Sequence, residues 1–162
     1  MNRQLRKVVC VFGGLLLFPF LCAAQEDELL KVESSINPRQ LSRGQEGKII
    51  LKLSIKEGII ISPLPDFIIE FTPQEDIVFP KNFFTASDLN LGVLEEGGES
   101  ALDLSKPVEI PFTISLQAKR GSHILDGRIK YFARSREEDW CLKSSAKFSA
   151  SFSTWSSVAK KK

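Results

Sequence analysis

The chain has 162 residues, 43% of them hydrophobic, with 22 Lys and Arg against 20 Asp and Glu and a formal charge of +2. That is room for one ordinary domain, and it excludes collagenous, strongly disordered and nucleic-acid-coating compositions. The positive balance comes from the amino terminus, where Arg3, Arg6 and Lys7 precede an uncharged run from Val8 to Leu21 that closes on Cys22-Ala23-Ala24.

Fourteen residues from Val8 to Leu21 are too few to cross about 30 Å of hydrocarbon as a helix. Basic start, apolar middle and small residues at Cys22 and Ala24 together read as a secretory signal peptide over 1–24, cleaved before Gln25, which places the product in the periplasm or outside the cell. A lipoprotein acylated at Cys22 is the minor alternative, disfavoured by the bulk of Leu21 just before it. No stable membrane anchor is expected. Without the three leader cations the chain carries 19 positive and 20 negative residues, so a nucleic-acid-binding surface has no support.

From Gln25 onward the dominant pattern is alternation of apolar and polar residues, the period of a half-buried strand. It appears first in Leu30, Val32 and Ile36, then most cleanly in Ile49, Leu51, Leu53 and Ile55 set against Lys48, Lys52, Ser54 and Lys56. It recurs in Phe67, Ile69 and Phe71; in Val108, Ile110, Phe112, Ile114 and Leu116; in Ile129, Tyr131 and Ala133; and in Phe148, Ala150 and Phe152. Turn chemistry separates these runs at Asn37-Pro38, Arg43-Gly44, Glu57-Gly58, Pro63-Leu64-Pro65, Thr72-Pro73, Gly97-Gly98, Lys106-Pro107 and Arg120-Gly121.

No segment has a helical period of comparable length. About seven short strands with frequent turns predict an all-β fold, an immunoglobulin-like antiparallel β-sandwich over 25–155. Lys81 to Ser105 reads as a long loop carrying one short strand. Pro111 predicts an edge strand or a bulge, because proline cannot donate to a ladder. Residues 156–162, ending in three lysines, read as a basic disordered tail.

Chemistry-bearing residues are few. Cys10 and Cys22 fall in the leader, so Cys141 is the one cysteine of the exported chain and an internal disulfide is impossible. His123 is the only histidine and Met1 the only methionine. Zinc and copper sites need more soft or borderline ligands than these, so no metal or other cofactor is expected. His123 reads as a surface or capping residue, with Asp126 its nearest carboxylate in sequence. No Gly-x-Ser-x-Gly elbow and no phosphate-binding glycine loop occurs. The pairs Glu95-Glu96 and Glu137-Glu138 would point to opposite faces of a strand, which suits solvated turns better than acid catalysis.

Cys141 follows Glu137-Glu138-Asp139-Trp140. One reading makes it a small buried or half-buried residue beside Trp140; the other makes it a reactive thiol, which requires an exposed sulfur. Phe79-Pro80 and Phe83-Phe84 cluster large apolar groups near a turn, where they either cap the core or meet a partner.

The order of segments resembles the N-terminal immunoglobulin-like domain of the DsbD family of thiol:disulfide interchange proteins. The resemblance runs from about Leu30 to about Trp155. It rests on "LSRGQEGKIILKLSIKEGIIISPLP", "FTPQEDIVFPKNF", "KPVEIPFTISLQAKRGSHILDGRIKYF" and the closing "WCL". It implies a periplasmic domain whose hairpin carries two cysteines, taking electrons from a membrane-embedded partner and passing them to thioredoxin-like proteins. The second of these cysteines maps onto Cys141, and the first falls near Arg134 or Ser135, neither of which is cysteine. The aromatic and histidine that often follow the glycine at the Gly58 position are Ile59 and Ile60 here.

A dithiol relay alternates between one disulfide and two thiols, so this chain cannot run one by itself. Two expectations follow. Either the domain is an interaction module whose thiol is structural, or Cys141 works alone and forms mixed disulfides. In both, the expected partner is a protein, of thioredoxin-like or DsbD-like membrane type. The candidate contact residues are Phe79, Phe83, Phe84, Tyr131, Arg134 and Trp140.

Overall fold

The computed structural model describes residues 28–64, 67–96 and 98–155. The expected leader and the basic tail lie outside these residues. Twelve strands follow one another: β1 (Leu30–Asn37), β2 (Gln40–Ser42), β3 (Glu46–Ile55), β4 (Ile59–Ile61), β5 (Ile68–Phe71), β6 (Ile77–Val78), β7 (Phe83–Thr85), β8 (Val93–Glu96), β9 (Glu99–Leu102), β10 (Val108–Ile114), β11 (Gly121–Ser135) and β12 (Cys141–Trp155). One sheet has the order β1-β3-β10-β6; a second has the order β2-β12-β11-β5-β7, with β4 beside the far end of β11; β8 and β9 form a separate two-stranded sheet. The chain is an all-β sandwich, with its two larger sheets packed on one core.

Alternation decides which face is buried. Ile49, Leu51 and Leu53 of β3 are buried while Lys48, Lys52 and Ser54 face solvent. Against them, from the second sheet, come Leu125, Ile129, Tyr131 and Ala133 of β11 and Ala146, Phe148, Ala150 and Phe152 of β12. Each buried aliphatic or aromatic side chain contributes about 1.5–3 kcal/mol of transfer free energy, so this shared core is what holds the sheets face to face. Within it Phe71 stacks on Phe79 with centroids 4.0 Å apart and meets Phe84 and Phe148 edge-on, and Phe112 bridges Phe79 to Phe152.

Several expectations are corrected. Lys81 to Ser105 holds three short strands, β7, β8 and β9, with Leu102 and Leu104 buried in the core. The alternation failed to show them because each pairs for only three or four residues. Leu116 does not continue the buried face of β10; it is 76% exposed in a turn closed by the Ala118 amide on the Ser115 carbonyl.

Pro111 sits in no bulge, since β10 and β3 keep one register from Val108 to Thr113. Nor is β10 an outer strand of its sheet. The Ile114 amide donates to Gln45 and its carbonyl accepts from Gly44, so even-numbered β10 residues bond on the β3 side and Pro111 turns its nitrogen the other way. There β6 pairs only with Thr113 and Ile114, so no ladder bond is lost.

His123 caps one end of the sandwich. Its ring stacks on Phe152 at 5.0 Å, with Nδ1 3.3 Å from Asp76 and Nε2 2.8 Å from the Thr154 hydroxyl and 2.9 Å from the Lys119 carbonyl. Its carboxylate partner is thus Asp76, 47 positions away in sequence, and not the nearby Asp126.

Gly127 lies opposite Phe148, whose ring occupies the space a side chain there would need. A Cβ would come within 2.3 Å of Phe148 Cζ and 2.9 Å of the Glu70 carbonyl oxygen. Gly127→Ala is therefore expected to lower stability by about 1–3 kcal/mol through overpacking, read as a reduced urea midpoint, and Phe148→Leu in the same chain should return part of the difference. An unchanged midpoint in Gly127→Ala would contradict this packing.

The turn after β7 yields a second expectation. Asp88 forms an ion pair with Lys81 and accepts hydrogen bonds from the Thr85 amide and hydroxyl, both at 3.0 Å, and these interactions hold its carboxyl down at about 2 against an ordinary 3.8. Because the folded value is depressed, the turn's stabilisation is present above the ordinary value and fades as pH falls through about 2. Carboxyl chemical shifts of Asp88 followed by NMR should place its inflection near 2, and an inflection near 4 would exclude the arrangement.

Candidate functional site

The β11–β12 hairpin keeps one register over its whole length, from Gly121 opposite Thr154 to Arg134 opposite Cys141. At its tip the Ser135 amide donates to the Trp140 carbonyl. Hydrogen-bonded and non-hydrogen-bonded pairs alternate along an antiparallel ladder, so Arg134 and Cys141 form a non-hydrogen-bonded pair, the closer of the two kinds. Their side chains share the outer face of the second sheet, since Tyr131 and Ala133, two residues apart on β11, are buried on the inner face.

The tip is built by short-range hydrogen bonds. The Ser135 hydroxyl accepts from the amides of Glu137 and Glu138, at 3.2 and 2.9 Å. The Trp140 indole donates to Glu138 at 3.0 Å, and its ring, half buried, rests on the edge of the core. The Arg136 amide donates to the Gly58 carbonyl at 2.8 Å, and β4 pairs with Ala133, Arg134 and Ser135. Gly58 turns with φ +76°, a backbone region that favours glycine, and so lets the chain enter β4 beside the tip.

Cys141 is a free, exposed cysteine. The expectation of a buried or half-buried residue beside Trp140 is therefore corrected. The reason is parity: Cys141 falls on the outward-facing row of β12 with Lys143, Ser145 and Lys147, all away from the core. Across from it, Arg134 is held by Glu99 of β9, with Nη2 3.2 Å from Oε1. The residue directly opposite Cys141 in the ladder is thus an arginine whose guanidinium is engaged by Glu99.

The other candidates do not gather here. Tyr131, 2% exposed, and Phe84, 6% exposed, are core residues, which corrects the reading of them as exposed contact residues; of the two only Tyr131 reaches the edge of a surface groove. Phe79 is half buried and spends its face on Phe71, so it caps the core. Phe83 is 51% exposed, but it lies on β7 opposite Glu70, which in turn pairs with Arg128. That is the opposite margin of the sheet from Cys141, well below the tip. Of the six predicted contact residues, only Arg134 and Trp140 flank Cys141.

Sequence reasoning missed two features. Glu99 was hidden in the segment read as loop. The margin of β12 on the side away from β11 was also unseen: β2 covers it only at Ser153, Thr154 and Trp155, in parallel. Its signal was the length of the Cys141–Trp155 run, more than twice that of an ordinary strand. Among the described residues no three His, Cys, Asp or Glu come together as a metal ion would require, and no helix is long and apolar enough to cross a membrane.

No family model matches the chain, and no curated protein sequence does. Among solved structures it is similar to the major pilin subunit of Bacillus cereus, at 10% identity and TM-score 0.43, over 78% of this chain and 40% of that one. It is also similar to a cohesin module from a Clostridium perfringens family 33 glycoside hydrolase, at 9% identity and TM-score 0.39, over 79% of this chain and 96% of that one. A third is the collagen adhesin of S. aureus, at 12% identity and TM-score 0.32, over 79% and 43% of the two chains.

The hairpin geometry makes a direct prediction. In a non-hydrogen-bonded antiparallel pair the Cα atoms stand about 4.5 Å apart, inside the range a disulfide spans. In a chain beginning at Gln25, Arg134→Cys should therefore close a disulfide with Cys141 under air oxidation, seen as a 2 Da mass loss (about two hydrogens) with no thiol left to alkylate. Two free thiols after oxidation would contradict the register at the tip.

Proposed function

We propose that the chain is an exported immunoglobulin-like interaction module, of the kind its resemblance to the DsbD N-terminal domain implies, which works without a dithiol relay. The observation that carries this reading is the Arg134–Cys141 pair. A relay within the domain needs a second sulfur within bonding distance of the first, and here the residue opposite Cys141 is an arginine, its guanidinium tied to Glu99. What remains is a rigid β-sandwich that presents a shaped tip to another protein.

A second reading is favoured by the exposure of the sulfur. In it the Cys141 thiolate attacks a disulfide of a thioredoxin-like partner. One S–S bond breaks, a mixed disulfide forms, and the displaced partner sulfur leaves as a thiolate and takes up a proton. With no resolving cysteine in the exported chain, release requires a thiol from a second molecule.

The test is intact mass of the protein taken from the exported fraction after acid quenching, without reductant, followed by native alkylation. A mass starting at Gln25 with one free thiol is expected for the interaction module. An adduct abolished by Cys141→Ser would instead establish mixed-disulfide chemistry. Native alkylation should reach Cys141 in either case, and Cys141→Ser should change stability by no more than about 0.5 kcal/mol because the side chain lies outside the core. Sustained dithiol turnover with a reduced thioredoxin-like donor, surviving in Cys141→Ser, would overturn both readings.

A further inference from the structure

The open margin of β12 has a defined polarity. The Ser153 amide donates to Arg39 and the Ser149 carbonyl accepts from the Ser34 hydroxyl, so odd-numbered residues of β12 aim their backbone groups away from β11. The register has no bulge between them and the tip, so Cys141, Lys143, Ser145 and Lys147 do the same. Among the described residues nothing takes these groups. From Cys141 to Lys147 these outward donors and acceptors thus have no backbone partner among the described residues, although β1 lies against β12 on this side and bonds it at Ser149.

Its two sides differ. On the inner side a groove of about 770 Å³ is lined by the apolar Leu29, Tyr131, Leu142 and Ala146 and, to a similar extent, by polar groups that include Glu28 and Lys147. On the outer side stand Lys143 and Lys147, both exposed, with no carboxylate partner among the described residues; Lys143 instead lies 6.0 Å over the Phe132 ring. A strand laid along this margin would place alternate side chains in the groove and the others beside the two lysines.

We propose that this margin is a docking site for an extended segment of a partner protein in which carboxylates alternate with apolar residues, added as a further strand beside β12. The proposal rests on the interaction-module reading and names the partner's chemistry. Charge complementarity selects this occupant over a second copy of the chain, because an antiparallel β12 pair centred on Ser145 would set Lys143 of each copy against Lys147 of the other. The lysines thereby also guard the open margin against indiscriminate pairing.

The test uses a capped synthetic peptide of about eight alternating Glu and Val residues, with a Lys and Val peptide as control, titrated into the purified Cys141→Ser protein and followed by backbone NMR and amide hydrogen exchange. Using Cys141→Ser removes thiol chemistry, so the outcome is independent of the redox readings. The expected result is shift changes confined to 141–147 and the groove, slowed exchange at the amides of Lys143, Ser145 and Lys147, and affinity that falls with salt. Ser145→Pro removes an outward donor without touching a bond to β11, so it should keep the fold and abolish binding. Lys143→Glu with Lys147→Glu should weaken the acidic peptide by about tenfold and admit the basic one. No binding, equal binding of both peptides, changes centred on Phe83 or β10, or protection arising from a dimer before peptide is added would each overturn the proposal. If the acidic peptide fails while a native partner still binds the protein, the docking site is wrong and the interaction-module reading stands.

Discussion

The constraint on which the rest of this structure depends is the unbroken register of the β11–β12 hairpin. Fourteen successive residue pairs keep step from Gly121 to Arg134, so the parity of each residue is fixed along the whole of both strands. Parity then decides everything of functional interest. It buries Tyr131 and Ala133, exposes Cys141, sets Arg134 opposite Cys141, and turns the backbone groups of Lys143, Ser145 and Lys147 away from β11. A one-residue slip would invert all of these at once. Gly127 helps hold the register, because the Phe148 ring can lie across β11 only where no side chain opposes it.

The core gives the hairpin its rigidity. Phe71 joins Phe79, Phe84 and Phe148, and through Phe112 the same chain of rings reaches Phe152 and the capping His123. These contacts tie β5, β7 and β10 to β12, so the far end of the long strand is anchored while its near end projects. The tip itself is held by hydrogen bonds accepted by Ser135, Glu138 and Gly58 and by the Trp140 ring at the edge of the core. A site made in this way is well positioned and accessible, the usual division between a rigid scaffold and the loops or strand ends that work.

The fold was largely legible because half-buried strands write their period into the sequence. Ile49, Leu51 and Leu53, or Phe148, Ala150 and Phe152, can be read without coordinates since each lies on one face of a long strand. The short strands β7, β8 and β9 could not be read, because three or four residues carry too few alternations to stand out. Phe84 was misjudged for a related reason: an aromatic beside a turn looks the same in sequence whether it caps a core or faces solvent, whereas Tyr131 was already marked as inward-facing by its alternation with Ile129 and Ala133. Pro111 was misjudged because sequence reveals the lost donor but not the direction in which the missing hydrogen would have pointed.

By itself the sequence determined the all-β class, the positions of the long strands and the presence of a single cysteine after the leader-like segment. Those properties follow from composition and local period, which need no knowledge of what lies across a strand. Tertiary structure alone decided that Cys141 is exposed, that Arg134 stands opposite it, that Glu99 from a distant hairpin holds that arginine, and that the outward backbone groups of β12 from Cys141 to Lys147 have no partner among the described residues. Each of these is a statement about which strand lies beside which, and pairing is set by burial of the shared core across residues far apart in the chain.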